Sequence, residues 1–150
     1  MSCLLLFGDF FIMKRKGSSI IFINDERKIL LFLRDDTPNI PYPDMWDVPG
    51  GHVDKNERPE QCIVREMKEE MDLTLDEFEL FSKIEFEDRI EYTFWARANF
   101  SIDEIVLLEG QKLKWFTKDE AKRTPLAYGF NEIVEKFFGQ APFEKSFSRK

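Results

Sequence analysis

The sequence predicts an α/β layer fold around a mixed β-sheet, and three observations predict it. Several runs show the period-two alternation of strands. Residues 59–71 show the apolar spacing of a helix. Strands and helices interleave along the chain, some strands adjacent and some separated, which favours layers over a bundle or an all-β sandwich. A chain of 150 residues suits one domain with a sizeable core.

The elements follow in order. The apolar stretch of the opening "MSCLLLFGDFFIMKRKG" is short, is broken by Asp9, and has its basic cluster on the wrong side for a signal peptide. Residues 1–17 are read as an N-terminal edge strand or loose segment, 18–139 as the domain, and 140–150 as a flexible tail. "SSIIFIN" and "KILLFLR" are β-rich runs joined by the polar turn "NDER", a hairpin-like pair. "DDTPNIPYPDM" is a loop, because proline at that density removes too many ladder donors for a sheet interior. "WDVPGGHV" is a short strand broken by Pro49, Gly50 and Gly51.

Pro59 fits a first helical turn, where its missing N–H costs nothing. Ile63, Met67 and Met71 form an apolar stripe at four-residue spacing. "EFELFSKIEFE" and "RIEYTFWARANF" are paired-strand candidates, and "KLKWF" is a further short strand. "TKDE" has the capping-box pattern, with Thr117 and Glu120 in reciprocal positions. "NEIVEKFF" is a final amphipathic helix.

Composition excludes some functions. The net charge of −7 lacks the basic footprint of non-specific nucleic-acid binding, so no nucleic-acid polymer is expected as a partner. No apolar run approaches the roughly 18 residues of a membrane helix. Cys3 and Cys62 are too few for a disulfide framework and suit a reduced, cytoplasmic setting.

The unusual feature is acidic. Glu66 lies three residues from Glu69 and four from Glu70, so on a helix the three carboxylates share an arc of about 100°. That arc borders the stripe of Ile63 and Met67, at the seam between helix and core. Like charges so placed repel, by a few tenths of a kcal/mol when exposed and more when partly buried. A solvated acidic face is one reading. A hard divalent cation among the carboxylates is the other, since Mg²⁺ takes oxygen ligands and shares its shell with phosphates.

The spacing around the acids closely resembles the Nudix box, G-x5-E-x7-R-E-U-x-E-E-x-G-U with U aliphatic. Gly51, Glu57, Arg65, Glu66, Glu69 and Glu70 all match, and Met67 and Leu73 fill apolar positions. One position departs: Asp72 stands where the pattern has glycine. It falls just past the helix end, where a left-handed residue is favoured and Asp is tolerated at roughly 1 kcal/mol. Arg58, before Pro59, is a poor N-cap residue.

The resemblance implies a Nudix-type α/β/α sandwich and hydrolysis of a nucleoside diphosphate linked to another group, with Mg²⁺ or Mn²⁺. It implies metal ligands at Glu66, Glu69, Glu70 and the Gly50 carbonyl. Glu66 becomes a candidate for activating water. Glu57 and Arg65 would hold the loop–helix–loop, with Arg65 orienting a carboxylate. Beyond the box the chain looks like the MutT-type nucleoside triphosphate pyrophosphatases. That likeness implies a phosphate contact at Arg34, a further metal carboxylate at Glu109 and a purine-reading role for Asn131.

Ordinary readings stand beside these. Arg34 is also placed to pair with Asp35 or Asp36, and Glu109 to be a plain loop acid. Trp46 is either core or a stacking surface for substrate, as is Tyr42. His52 is read as structural or exposed, and Cys62 as packed under the helix. The partner expected is a small nucleotide, first a nucleoside triphosphate such as 8-oxo-dGTP, with homodimerisation left open. A nucleotide sugar or ADP-ribose is the alternative, disfavoured by the lack of proline between Leu73 and Thr124. A non-enzymatic nucleotide sensor is a third reading, against which the full set of charged box residues counts.

Overall fold

The computed structural model describes residues 4–7 and 10–145, with only backbone described for 4–7, 10–13 and 145. Two short strands, β1 (Leu4–Phe7) and β2 (Phe10–Met13), pair antiparallel. The main sheet begins with β3 (Arg15–Ile23). Residues 15–17, assigned from sequence to the N-terminal segment, therefore belong to the domain's central strand. Arg15 and Lys16 look like loop residues in sequence, but their backbones pair with Arg89 and Ile90.

The remaining strands are β4 (Ile29–Leu33), β5 (Trp46–Asp47), β6 (Gly50–His52), β7 (Glu79–Glu85), β8 (Arg89–Arg97) and β9 (Lys112–Phe116). The order is β5–β4–β3–β8–β7, with β6 also pairing β3 and β9 also pairing β4. β3 and β8 run parallel and the other pairs antiparallel, so the sheet is mixed as expected.

Both sheet faces are covered, which explains why β3 and β8 are buried almost throughout. Ile20, Phe22, Phe94 and Ala96 pack on one face against Ile63, Met67 and Met71 of helix α1 (Pro59–Met71). Ile21, Ile23 and Trp95 pack on the other against Ile133, Val134 and Phe137 of the C-terminal helix (Phe130–Gln140). The period-two alternation in "IEYTFWA" therefore separates two cores rather than core from solvent.

Between β9 and that last long helix lies a short helix, α2 (Lys118–Lys122), so the C-terminal helix is α3. At the N-cap of α2, Thr117 Oγ1 accepts from the Glu120 N–H at 3.1 Å, and Glu120 Oε1 accepts from the Thr117 N–H at 2.9 Å. The expected loose tail is corrected in part. Pro142–Lys145 makes one further helical turn, α4, because buried Phe143 packs on Phe137 and Phe138. Residues 1–3, 8–9 and 146–150 lie outside the described residues.

The ends of α1 explain its two irregular residues. At the N-terminus the Arg58 side chain makes no capping bond; instead Gln61 Oε1 accepts from the Arg58 N–H at 2.9 Å. At the C-terminus Asp72 is left-handed, with φ 50°, and the Asp72 and Leu73 N–H groups bond Lys68 and Met67 carbonyls at 3.1 Å. That closes a Schellman motif, the arrangement glycine serves best. An exposed ion pair to Lys68 at 2.8 Å offsets only a little of the strain. Asp72→Gly is expected to raise the melting temperature by about 2 °C, from roughly 1 kcal/mol of relieved strain. Thermal denaturation checks the shift, and turnover is expected to stay unaltered.

Candidate active site

A cleft of about 360 Å³ opens where β3, β6, β8 and α1 meet. Its acidic wall carries Glu66, Glu69, Glu70 and Glu109 beside Gly50 and Gly51. Two glycines make this wall possible. A Cβ on Gly51 would lie 2.3 Å from the Glu66 carboxyl carbon. A Cβ on Gly50 would lie 2.2 Å from the Ser18 carbonyl oxygen. Any larger residue would displace the helix acids or the central strand.

Arg65 holds the loop and helix together. Its Nε and Nη2 donate to both Glu57 oxygens at 2.8 and 3.0 Å, and Nη2 also donates to the His52 carbonyl at 3.2 Å. Nη1 donates to Glu66 at 3.1 Å and Glu69 at 3.2 Å. The bidentate bond drives the Glu57 carboxyl down to about 2. Glu57 and Arg65 thus tie the loop after β6 to α1.

Glu66 and Glu70 carry the strain of the site. Burial raises both; Arg65 restrains Glu66, while the charge of Glu66 raises Glu70 further. Glu70, 8% exposed, is pushed up to about 10, first by burial and then by Glu66. Glu69 lies further out, its carboxylate drawn to Arg65. Glu109 is exposed but fixed in direction. The Leu108 N–H donates to the Glu70 carbonyl at 2.7 Å, and the Gln111 N–H to the Leu33 carbonyl at 2.7 Å, so its loop is tied at both ends.

These donors are hard oxygens, the chemistry of Mg²⁺ or Mn²⁺. Among the described residues no three His, Cys, Asp or Glu side chains are already gathered around one point. Glu66 and Glu69 are engaged with Arg65. A cation would draw them off Arg65 and relieve the repulsion between the helix acids. The donor set fits; its convergence depends on the ion.

Arg34 lines the cleft, but its partner is Asp47, at 3.1 Å, and not Asp35 or Asp36. Its Nε also donates to the Pro41 carbonyl at 2.9 Å, and its guanidinium lies 5.2 Å from the Tyr128 ring centre. Burial pushes the Asp47 carboxyl up to about 7, against the pull of Arg34. A phosphate contact by Arg34 would have to compete with Asp47.

Two expectations are corrected. Trp46 does not line the cleft; its ring meets Phe116 edge-on at 4.9 Å and packs on the α3-side core. Asn131 also lies away from the cleft, and its amide is already satisfied. Its Oδ1 accepts from the Leu126 N–H at 2.8 Å, and Nδ2 donates to the Thr124 carbonyl at 2.8 Å. It brackets the turn between α2 and α3. His52 is exposed and bonds Arg15; Cys62 is buried beneath α1.

The sequence reading missed the opposite wall. Arg15, Asp47, Arg89, Glu91, Tyr128 and Phe130 line it. Arg89 and Glu91 are both 4% exposed and joined Nε to Oε1 at 2.6 Å. The signal was available: opposite charges two apart on a strand share a face.

A glycine-walled acidic helix end, beside a cleft with a second polar wall, defines a class of phosphate-handling site. The matches to known proteins make the class specific. A profile of the NUDIX domain matches residues 13–137, and the chain belongs to the NUDIX family. It is 46% identical over 74 residues to the 8-oxo-dGTP diphosphatase of Escherichia coli (strain K12), 47% of this chain and 57% of that one. The chain spans about half the length of the curated relatives it matches. The MutT NUDIX hydrolase of Burkholderia pseudomallei superposes with a TM-score of 0.67 at 25% identity, over 81% of this chain and 95% of that one. The NUDIX domain of Shewanella oneidensis NrtR, solved with ADP ribose, superposes at 0.71 with 17% identity, over 91% of this chain and 94% of that one.

Asn131→Ala is expected to destabilise the fold by about 1–3 kcal/mol, since it strands the Leu126 N–H and Thr124 carbonyl. Chemical denaturation measures the loss, and the substrate preference of the folded fraction is expected to stay unchanged.

Proposed function

We propose that this chain is a metal-dependent Nudix hydrolase of nucleoside triphosphates, 8-oxo-dGTP among them, yielding a nucleoside monophosphate and pyrophosphate. The observation that carries the reading is the crowding of two carboxylates, half-buried Glu66 and buried Glu70, at a glycine-walled cleft. Such a pair costs folding energy without a ligand, and perturbed carboxylates in a cleft are the usual mark of a working site. The diphosphatase name of a 46% identical relative supports the choice of substrate.

In this reading Glu66, Glu69, Glu70, Glu109 and the Gly50 carbonyl hold Mg²⁺ or Mn²⁺. When bound, the cation neutralises phosphate charge and makes a nearby water more acidic. Glu66, partly buried, takes the proton as the water oxygen bonds to phosphorus and the bridging P–O bond breaks. Arg65 orients Glu66 and Glu69 and does not touch the substrate. Arg34 exchanges Asp47 for a phosphate oxygen.

Glu69→Gln and Glu70→Gln are each expected to lower Mg²⁺-dependent release of pyrophosphate and nucleoside monophosphate by about 10²-fold or more. The panel spans canonical and oxidised nucleoside triphosphates, nucleotide sugars, ADP-ribose and dinucleoside polyphosphates. Unchanged release in the variants would show that this helix is not the catalytic element.

A further inference from the structure

The wall facing the acidic helix contains a buried carboxylate that the hydrolytic reading leaves unused. Glu91 is 4% exposed and lines the cleft. It lies over Gly17: a Cβ there would be 2.3 Å from Glu91 Oε1, so the missing side chain makes room for the carboxylate. Arg89 donates to Oε1 at 2.6 Å. A carboxylate offers about four lone-pair sites, so acceptor capacity remains for a ligand.

Arg89 is held by the chain on all three nitrogens. Each of its three nitrogens already donates within the chain: to Glu91, to Asp88 at 3.2 Å and to the Tyr128 carbonyl at 3.0 Å. Its plane is packed by Phe86 at 4.4 Å and by Phe130 at 5.6 Å. Arg89 thus supplies the charge that makes a buried carboxylate tolerable and fixes its direction. Burial raises the Glu91 carboxyl, and Arg89 restrains the rise.

The register sets the distance. Gly17 pairs with His52 of β6 on one side and with Glu91 of β8 on the other. Two strand spacings, about 10 Å, therefore separate the glycine corner of the phosphate wall from Glu91. A nucleotide whose phosphates meet the acidic helix spans that gap with its sugar and brings its base to Glu91. The rings of Tyr128 and Phe130 line the same cleft and offer flat surfaces to a base.

We infer that Glu91 reads the base of the nucleotide by accepting two adjacent N–H donors, which selects the N1–H and N2–H edge of a guanine. Adenine and cytosine present an acceptor beside their amino donor, and uracil flanks its single N–H with carbonyls. All three would set an oxygen or nitrogen lone pair against the carboxylate. Oxidation at C8 leaves the guanine donor edge intact, so Glu91 serves oxidised and ordinary guanine alike. The inference rests on the nucleotide reading of the cleft and assigns its base specificity.

Calorimetric titration with GMP, IMP and AMP in Mg²⁺ tests it without turnover. IMP lacks only the 2-amino donor. The wild-type chain is expected to bind GMP at least tenfold tighter than IMP, with AMP weaker still. Glu91→Gln, which keeps the shape and the bond from Arg89, is expected to bring GMP and IMP within about threefold. Glu91→Asp keeps the charge but shortens the reach, and is expected to fall between; it carries the test if the Gln variant fails to fold. Equal binding of GMP and IMP by the wild type, or no binding of either, overturns the inference. So does an unchanged ratio in a variant that melts like wild type. Failure of the hydrolytic panel with the GMP preference intact would sink the catalytic reading and leave the base readout standing.

Discussion

The close approach of α1 to the side-chain-free strand Gly50–Gly51 is the constraint on which the site depends. With no Cβ at Gly51, the Glu66 carboxylate lies directly against the backbone. That contact places the acids at the floor of a cleft instead of on a solvated helix face. It also sets them close to one another. Ser18, on the neighbouring strand, secures the arrangement by donating its hydroxyl to the Pro59 carbonyl at 2.8 Å. The first turn of α1 is thus tied to the central strand, and every later acid on the helix is placed by that tie.

The two walls solve the same electrostatic problem in opposite ways. On the β8 wall each buried acid has its cation: Arg89 for Glu91 and Arg34 for Asp47. On the α1 wall Arg65 is shared by several acids, and Glu70 has no ion-pair partner among the described residues while lying almost fully buried. Burial without a countercharge is costly. The acids of the opposite wall are already compensated within the chain, and in the proposed reading a cation supplies what the α1 wall lacks.

Much of this was legible in the chain. The α1 boundaries, the mixed sheet and the roles of Glu57 and Arg65 follow from spacing, because helix periodicity and the box residues are local signals. Glu109 came from resemblance, and the structure explains its position through backbone bonds that no local pattern encodes. Trp46 and Asn131 were misjudged for one reason. A polar or aromatic residue near a site reads as functional until its partners are known, and theirs are Phe116 and the turn before α3. Arg89 and Glu91 were missed because burial on the second sheet face depends on α3 packing there. That is a tertiary fact, invisible to a period-two pattern.

The central claim is that the acidic helix is a cation site whose strain the protein carries until the ion binds. Melting temperatures of the wild type and Glu70→Gln, in EDTA and in Mg²⁺ at neutral pH, test it most directly. In EDTA the variant should melt higher than wild type, since it removes a buried carboxyl that must take up a proton at neutral pH to stay buried. Mg²⁺ at about a hundredfold over its dissociation constant should raise the wild type by about 5–10 °C and the variant by much less. A wild type indifferent to Mg²⁺, or a variant that melts lower in EDTA and gains as much from the ion, would contradict the account.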